Sequence, residues 1–204
     1  MNESRVWQRF LSGRRLDLAN PSPFDFEDTD IALGLSRVAR WNGATRGDYA
    51  YSVAQHSLDV LAEVRRITPA SRLSLKLELA TLLHDACEGL LGMDVITPLK
   101  PFLGPRWRQL EDGVQRAVHQ RYGLPFPLPA EMTKRIKKAD RGLAAAEAVQ
   151  LVGLTPAEAA DPTTFGMLEP PVERSLIPWP AKKAEEAFLA ELRRLAGFAQ
   201  RPTA

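Results

Sequence analysis

The segment from Leu73 to Leu91 constrains the fold more than any other part of the chain, because polar residues are scarce along it. Its composition and spacing are those of a buried helix. The segment therefore predicts a central helix from about Ala70 to Leu91, which begins after Thr68-Pro69 and is stopped by Gly92.

Three ionisable groups, His84, Asp85 and Glu88, interrupt this apolar run. In a helix Glu88 lies one turn from His84 on the same face, whereas Asp85 is turned by about 100° around the axis. Burying such groups is costly unless something pairs with them. A divalent metal ion is one partner that fits, and a His–Asp hydrogen bond that only fixes helix packing is the alternative.

Most other segments also repeat apolar residues every three or four positions, as helices do. They predict helices from Asp28 or Asp30 to Arg40-Trp41, from Ser52 to Ile67, from Gly104-Pro105 to Val118, from Ala130 to Val152 and from Ala181 to Leu195. No run with period two is convincing, although Leu16-Asp17-Leu18 is a candidate short strand. The sequence thus predicts an all-α bundle of about six helices.

We expect residues 1–204 to form a single domain, with a core of about residues 28–152 and the loop and helix of residues 153–204 packed on it. A chain of 204 residues with 45% hydrophobic residues is long enough for such a core. The proline-rich stretch 153–179 is expected to be a functional loop or an interface, with a candidate helix cap at Thr155-Pro156.

Charge and composition exclude several classes of partner. The net charge is +2, and the chain has neither a basic tail for a nucleic acid polymer nor a polybasic membrane anchor. No stretch reaches about 18 uncharged apolar residues, and the N-terminus lacks the apolar core of a signal peptide. With a single cysteine, Cys87, no internal disulfide can form. We therefore expect a cytoplasmic protein; a homodimer is left open.

Three predicted helices each place ionisable groups on their apolar face: His56, the pair His84-Asp85, and Asp140. Taken singly, His56 is most simply a core histidine, and Asp140 a salt-bridge partner. Three helices doing so together need a common partner, since each isolated buried charge is unfavourable. One divalent metal ion bound by these four side chains satisfies them all; the ligand types do not distinguish Mn, Co, Ni, Fe, Zn or Mg.

Other polar residues receive ordinary structural interpretations. Glu147, on the same face as Asp140, is expected to pair with a basic side chain within the bundle. His119 is expected at the surface or its boundary, and Cys87 as a small packed residue.

The order His…His-Asp…Asp resembles that of the HD-domain phosphohydrolase superfamily of metal-dependent enzymes. Several further segments look like the 5′-deoxynucleotidase branch of it: Arg40-Trp41, Tyr51-Ser52-Val53-Ala54-Gln55-His56-Ser57, His84-Asp85-Ala86-Cys87-Glu88, Asp94 and Thr97-Pro98. The resemblance covers about residues 30–150 and implies an HD-type helical bundle.

The resemblance also implies hydrolysis of a phosphate ester, with a small nucleotide as substrate. A metal ion would bind the phosphate and activate water. Glu88 and Asp94 are the expected catalytic carboxylates, for the water and the leaving 5′ oxygen. Arg40 is expected to clamp the phosphate and Trp41 to contact the nucleoside, although Trp41 fits a plain core position equally well; Lys137 is a further candidate phosphate contact.

Deoxynucleoside 5′-monophosphates are the first-choice substrates. A dNTP triphosphohydrolase or a signalling-nucleotide hydrolase would use the same metal site. A non-catalytic nucleotide sensor, and a structural bundle with buried ion pairs and no metal, are alternatives of a different class.

Overall fold

The computed structural model describes residues 6–163, 166 and 172–199, which form a helical bundle. A small antiparallel hairpin pairs β1 (Trp7–Arg9) with β2 (Arg15–Asp17). The helices are α1 (Asp28–Arg37), α2 (Val53–Ile67), α3 (Leu75–Leu82), α4 (Ala86–Leu91), α5 (Lys100–Arg121), α6 (Ala130–Glu147), α7 (Pro156–Ala160) and α8 (Ala181–Ala199). The predicted all-α bundle is therefore confirmed.

The predicted central helix is broken into α3 and α4. Leu83 and Asp85 have ψ angles of 9° and 20°, outside the helical range. Instead of the regular helical pattern, the backbone N–H of His84 bonds to the carbonyl of Thr81 at 3.3 Å. A continuous helix would turn two adjacent side chains about 100° apart. Because the helix is broken at His84 and Asp85, their side chains can point to the same side.

The first helix also ends earlier than predicted, at Arg37 rather than at Arg40-Trp41. The chain then extends, and Ala39 pairs with Ser52 in an isolated bridge. This bridge ties the end of α1 to the start of α2. There the Ser52 side chain accepts a hydrogen bond from the Gln55 N–H at 3.2 Å, so the helix is capped at Ser52, where the sequence predicts that it begins.

A pair of glycines allows α1 and α4 to touch through their backbones. A Cβ added at Gly34 would lie only 2.1 Å from the carbonyl oxygen of Gly89, and a Cβ at Gly89 would lie 2.7 Å from the Leu35 nitrogen. No other residue fits at either position without a shift of one helix. Since α4 carries Glu88, this contact fixes the depth of that carboxylate in the bundle.

The C-terminal helix α8 packs on α1, α2 and α3. Phe188, Leu192 and Leu195, which follow the apolar spacing of a helix, are completely buried. The helix extends past the predicted end at Leu195 and continues through Gly197 to Ala199. The predicted cap at Thr155 does begin a helix, the short α7.

The extended segment 172–180 crosses α2 and the end of α6, held by two glutamine side chains. Gln55 donates to the Ile177 carbonyl at 2.9 Å and accepts from the Trp179 N–H at 2.9 Å. Gln150 binds the backbone of the same segment in the same two-sided way. None of the helices built from the described residues is long and apolar enough to span a membrane.

Candidate metal centre

Two histidines and an aspartate from three elements converge at the centre of the bundle. His56 lies in the first turn of α2, His84 in the turn between α3 and α4, and Asp140 on α6. The nearest potential ligand atoms of these three residues all lie within 4.8 Å of one another. His56 is fully buried, whereas the Asp140 side chain is 32% exposed. The cluster therefore opens to solvent on its carboxylate side.

The ring of His56 is held by a buried carboxylate. Its Nδ1 lies 2.6 Å from Oε1 of Glu147, and both side chains are completely buried. An ionised carboxylate only accepts hydrogen bonds, so Nδ1 carries the proton. The other ring nitrogen, Nε2, faces Asp140 Oδ1 at 3.2 Å, and it has no hydrogen-bond partner of suitable geometry among the described residues.

His84 is oriented in the same way by a different acceptor. Its Nδ1 donates to the backbone carbonyl of Thr81 at 2.8 Å, because the turn at residues 83–85 brings that carbonyl under the ring. Its Nε2 is buried and, within the described part of the chain, has no hydrogen-bond partner. Both imidazoles thus direct an unused Nε2 into the cluster, with their rings 5.4 Å apart.

Asp85 contributes a second carboxylate beside the imidazoles. Its Oδ2 lies 3.1 Å from Nε2 of His84 and 3.7 Å from Nε2 of His56. It does not belong to the group of three whose atoms are all within 4.8 Å, so it lies on the His84 side of the cluster. The structure therefore gathers all four predicted ligands, with Asp85 slightly apart.

The electrostatics of the cluster favour positive charge between its carboxylates. Burial lowers the pKa of His56, but Glu147 and Asp140 outweigh burial and raise that pKa to about 10. Burial alone would raise the pKa of Asp85, but His84 and His56 reverse this and hold it well below its usual range. Protonated imidazoles and a bound cation both supply such charge.

Glu88 reaches the same region from the first turn of α4. It is only 8% exposed, and its Oε2 has no hydrogen-bond partner within residues 6–163, 166 and 172–199. Burial, followed by repulsion from Asp85 and Asp94, raises the pKa of Glu88 well above that of an ordinary glutamate. A buried carboxylate with an unused oxygen next to ligand-type side chains is a candidate proton acceptor.

The predicted phosphate clamp, Arg40, is bonded within the protein. Its Nε and Nη2 donate to Oε2 of Glu147 at 3.3 and 3.2 Å, and its Nη1 approaches Asp94 Oδ2 at 3.5 Å. Its side chain is 15% exposed. Arg40 and Asp94 thus lie together at the edge of the cluster.

Trp41 is half-buried and donates from Nε1 to the same Glu147 oxygen at 2.8 Å. Trp41 and Asn42 adopt φ angles of 57° and 52°, a left-handed conformation that residues other than glycine rarely adopt. The turn formed by Trp41 and Asn42 places the indole against Glu147 of α6.

Lys137 is exposed on α6, one turn before Asp140. It is not among the described residues that form the ion pairs of the cluster. His119 was wrongly expected at the boundary: it is 3% exposed, and its ring lies 2.8 Å from the Pro125 carbonyl and 3.1 Å from the Gln115 amide. Gln115 lies one turn before His119 on α5, and Pro125 lies just after the helix. Apolar spacing alone does not reveal such polar partners, so it did not predict that His119 is buried.

Glu147 has a larger part in the site than its sequence position predicts, because it contacts both Arg40 and His56. Its pairing with a basic side chain was expected and is confirmed by Arg40, but its contact with His56 was not foreseen. The available signal was its spacing of seven residues from Asp140, two helical turns along the same face of α6.

No family model matches the chain. An uncharacterized protein from Rhodobacter capsulatus is 51% identical over 172 residues, which cover 84% of this chain and 85% of that protein. At this identity and coverage, the chain belongs to the same protein family as this uncharacterized Rhodobacter capsulatus protein.

Proposed function

We propose that the chain is a metal-dependent phosphohydrolase of the HD-domain type, and that it releases phosphate from deoxynucleoside 5′-monophosphates. One observation carries the proposal: His56 and His84 are both fixed through Nδ1 and both aim an unpartnered, buried Nε2 at carboxylates. Metal-binding histidines in proteins are oriented in this way, by a hydrogen bond from the ring nitrogen that does not bind the metal.

The donor set suits one divalent cation. His56, His84, Asp85 and Asp140 would hold it, and their two imidazoles and two carboxylates fit several first-row metals. A cation would also give the unpartnered Nε2 atoms the interaction that buried polar atoms normally have. When bound, a divalent cation supplies charge that polarises a phosphate ester and makes water more acidic.

Glu88 and Asp94 are suited to the two proton transfers of ester hydrolysis. As the water oxygen attacks phosphorus, ionised Glu88 accepts a proton from it through Oε2, the oxygen that has no hydrogen-bond partner among the described residues. The bond between phosphorus and the 5′ oxygen breaks, and that oxygen takes a proton from Asp94. Burial raises the pKa of Asp94 despite the nearby Arg40, and this direction suits a proton donor.

Substrate contacts are assigned to the rim of the cluster. Arg40 is held rigidly by Glu147 and would use its remaining N–H groups on a phosphate oxygen. Trp41, on the adjacent turn, would contact the nucleoside. Lys137 would add positive charge from the exposed face of α6. A cytoplasmic location is part of the proposal, since Cys87 is a free thiol.

The test combines metal analysis with product analysis on one preparation of purified protein. We expect about one divalent metal ion per chain and release of orthophosphate from deoxynucleoside 5′-monophosphates. Tripolyphosphate or pyrophosphate released from a triphosphate would favour the alternative hydrolases. A metal-loaded protein that binds nucleotides without turnover would be a sensor, and a protein that takes up no metal would contradict the proposal.

A further inference from the structure

A single buried carboxylate joins the candidate metal centre to the turn that carries Arg40 and Trp41. Glu147 lies in the last turn of α6 and has no exposed side-chain surface. Its two oxygens are divided between two tasks. Oε1 contacts His56 Nδ1 at 2.6 Å, while Oε2 accepts from Trp41 Nε1 at 2.8 Å and from Arg40 Nη2 at 3.2 Å.

The Arg40–Trp41 side of this arrangement requires an acceptor, and an acceptor on the His56 side selects one tautomer of the ring. Two N–H groups of Arg40 and one of Trp41 point at Oε2, and each is a donor that cannot accept. On the other side, an acceptor at Oε1 requires a His56 proton on Nδ1, and in the neutral ring that binds a metal this leaves the lone pair on Nε2, which faces Asp140. A donor placed at Oε1 would reverse that hydrogen bond and move the ring proton to Nε2.

The turn held by Oε2 has an unfavourable backbone conformation. Trp41 and Asn42 are both left-handed, and such residues persist only where surrounding contacts fix them. The indole bond to Glu147 is one of those contacts. The carboxylate therefore fixes the geometry of the turn as well as that of the imidazole.

We propose that Glu147 is a positioning residue that holds His56 in its metal-binding tautomer with one oxygen and the Arg40–Trp41 turn with the other. The metal side and the substrate side of the site are thereby ordered by the same group. This inference rests on the proposed metal site and assigns no chemical step to Glu147.

Glu147→Gln separates the two tasks, because glutamine has one acceptor and one donor. The three N–H groups of Arg40 and Trp41 attract the amide oxygen, so the amide NH₂ faces His56 Nδ1 and favours the wrong tautomer. We expect Co²⁺ to bind the metal-stripped variant about 10–100-fold more weakly than the parent, as for other groups that orient a metal-binding histidine. Calorimetry measures the affinity, and the visible spectrum of Co²⁺ reports the ligand set.

Glu191→Gln is the matched control, since it changes an ion-paired glutamate of α8 that is remote from the cluster. It should bind Co²⁺ as the parent does. If Glu147→Gln does not fold, as judged by circular dichroism, Glu147→Asp keeps an acceptor on both sides but is one methylene too short to reach both. It should then bind Co²⁺ more weakly than the parent.

The outcomes distinguish this inference from the proposed function. A parent protein that takes up no Co²⁺ would contradict the metal site itself. A parent that binds Co²⁺, together with a folded Glu147→Gln or Glu147→Asp variant of equal affinity, would overturn the positioning role alone. Weaker binding and an altered Co²⁺ spectrum in the variant, with the control unchanged, would support it.

Discussion

Among the networks of charged side chains that connect the helices, one lies at the centre of the bundle and another at its surface. The central network is buried or half-buried and consists of Arg40, His56, His84, Asp85, Asp94, Asp140 and Glu147. The peripheral network joins α2, α3 and α8 through Arg65, Glu78, Glu191 and Arg194. Both join elements far apart in sequence, yet they differ in how completely their atoms are paired.

In the peripheral network, the arginine side chains are paired with glutamates and remain 35–43% exposed, so their other N–H groups are accessible to solvent. In the central network, Nε2 of His56 and Nε2 of His84 are buried without a hydrogen-bond partner among the described residues. Nearby, Oε2 of Glu88 is also buried without a hydrogen-bond partner among the described residues. Buried polar atoms without partners are rare and costly. Incomplete pairing therefore distinguishes a candidate functional site from ion pairs that only join helices.

The largest effect is expected from Glu88→Gln, which removes the candidate proton acceptor but preserves the shape of the side chain. Turnover of a deoxynucleoside 5′-monophosphate should fall by roughly 10²–10⁴-fold. Metal content and melting temperature should remain close to those of the parent. Steady-state phosphate release and metal analysis check this; loss of the metal would instead make Glu88 a ligand.

The second prediction tests whether the unpartnered imidazoles bind a metal. His84→Ala removes one of the two Nε2 atoms and should leave the site without its ion. At a free metal concentration 100 times the Kd, a bound ion stabilises a protein by about 2.7 kcal/mol. Melting curves with and without added metal should therefore differ for the parent and coincide for the variant. A fully occupied His84→Ala protein would contradict the ligand assignment.

Local signals in the sequence predicted much of this arrangement. Ser52 caps α2 through the Gln55 N–H, and this cap places His56 in the first turn on the buried face. Such features depend on neighbouring residues, so they can be read from sequence alone. The all-α architecture likewise follows from apolar spacing along each helix.

Features that depend on distant partners were not predictable in the same way. The break at residues 83–85 places His84 and Asp85 beside groups of α2 and α6, and the apolar spacing of the segment does not predict it. Glu147 was placed on the correct face, but its contact with His56 joins residues 91 positions apart. Apolar spacing identifies a buried face; it does not identify which polar groups meet there.

The third prediction concerns the backbone contact that sets the position of α4, and therefore of Glu88. In Gly34→Ala the new methyl group would meet the Gly89 carbonyl oxygen at 2.1 Å, so the two helices must separate. Overpacking of this kind typically costs about 1–3 kcal/mol. Urea unfolding should show the loss, and metal affinity should fall with it if α4 moves.

Gly113→Ala is the matched control for that substitution. It lies inside α5, and its new methyl group would meet the Pro21 ring at an ordinary 3.6 Å. Alanine is favoured over glycine inside a helix by roughly 0.5–1 kcal/mol, so this variant should be as stable as the parent or slightly more stable. Equal losses in both variants would show that the contact between α1 and α4 has no special role.

The smallest effect is expected in the peripheral network, from Glu191→Gln. Hydrogen bonds from Arg194 and Arg65 lower the pKa of Glu191 from 4.5 to about 2. A carboxylate with a lowered folded-state pKa stabilises the protein above its unfolded-state pKa, and this contribution disappears as the pH falls from about 4.5 towards 2. Glu191 is half-buried, but its partners Arg65 and Arg194 are 35% and 43% exposed, so solvent screening limits the loss at pH 7 to less than about 1 kcal/mol. Urea unfolding of parent and variant at a series of pH values should show a small gap at pH 7 that narrows below pH 4.5 and shrinks in high salt, with phosphate release unchanged. A larger gap, or a loss of activity, would show that the two networks are coupled and that the surface ion pairs also support the central site.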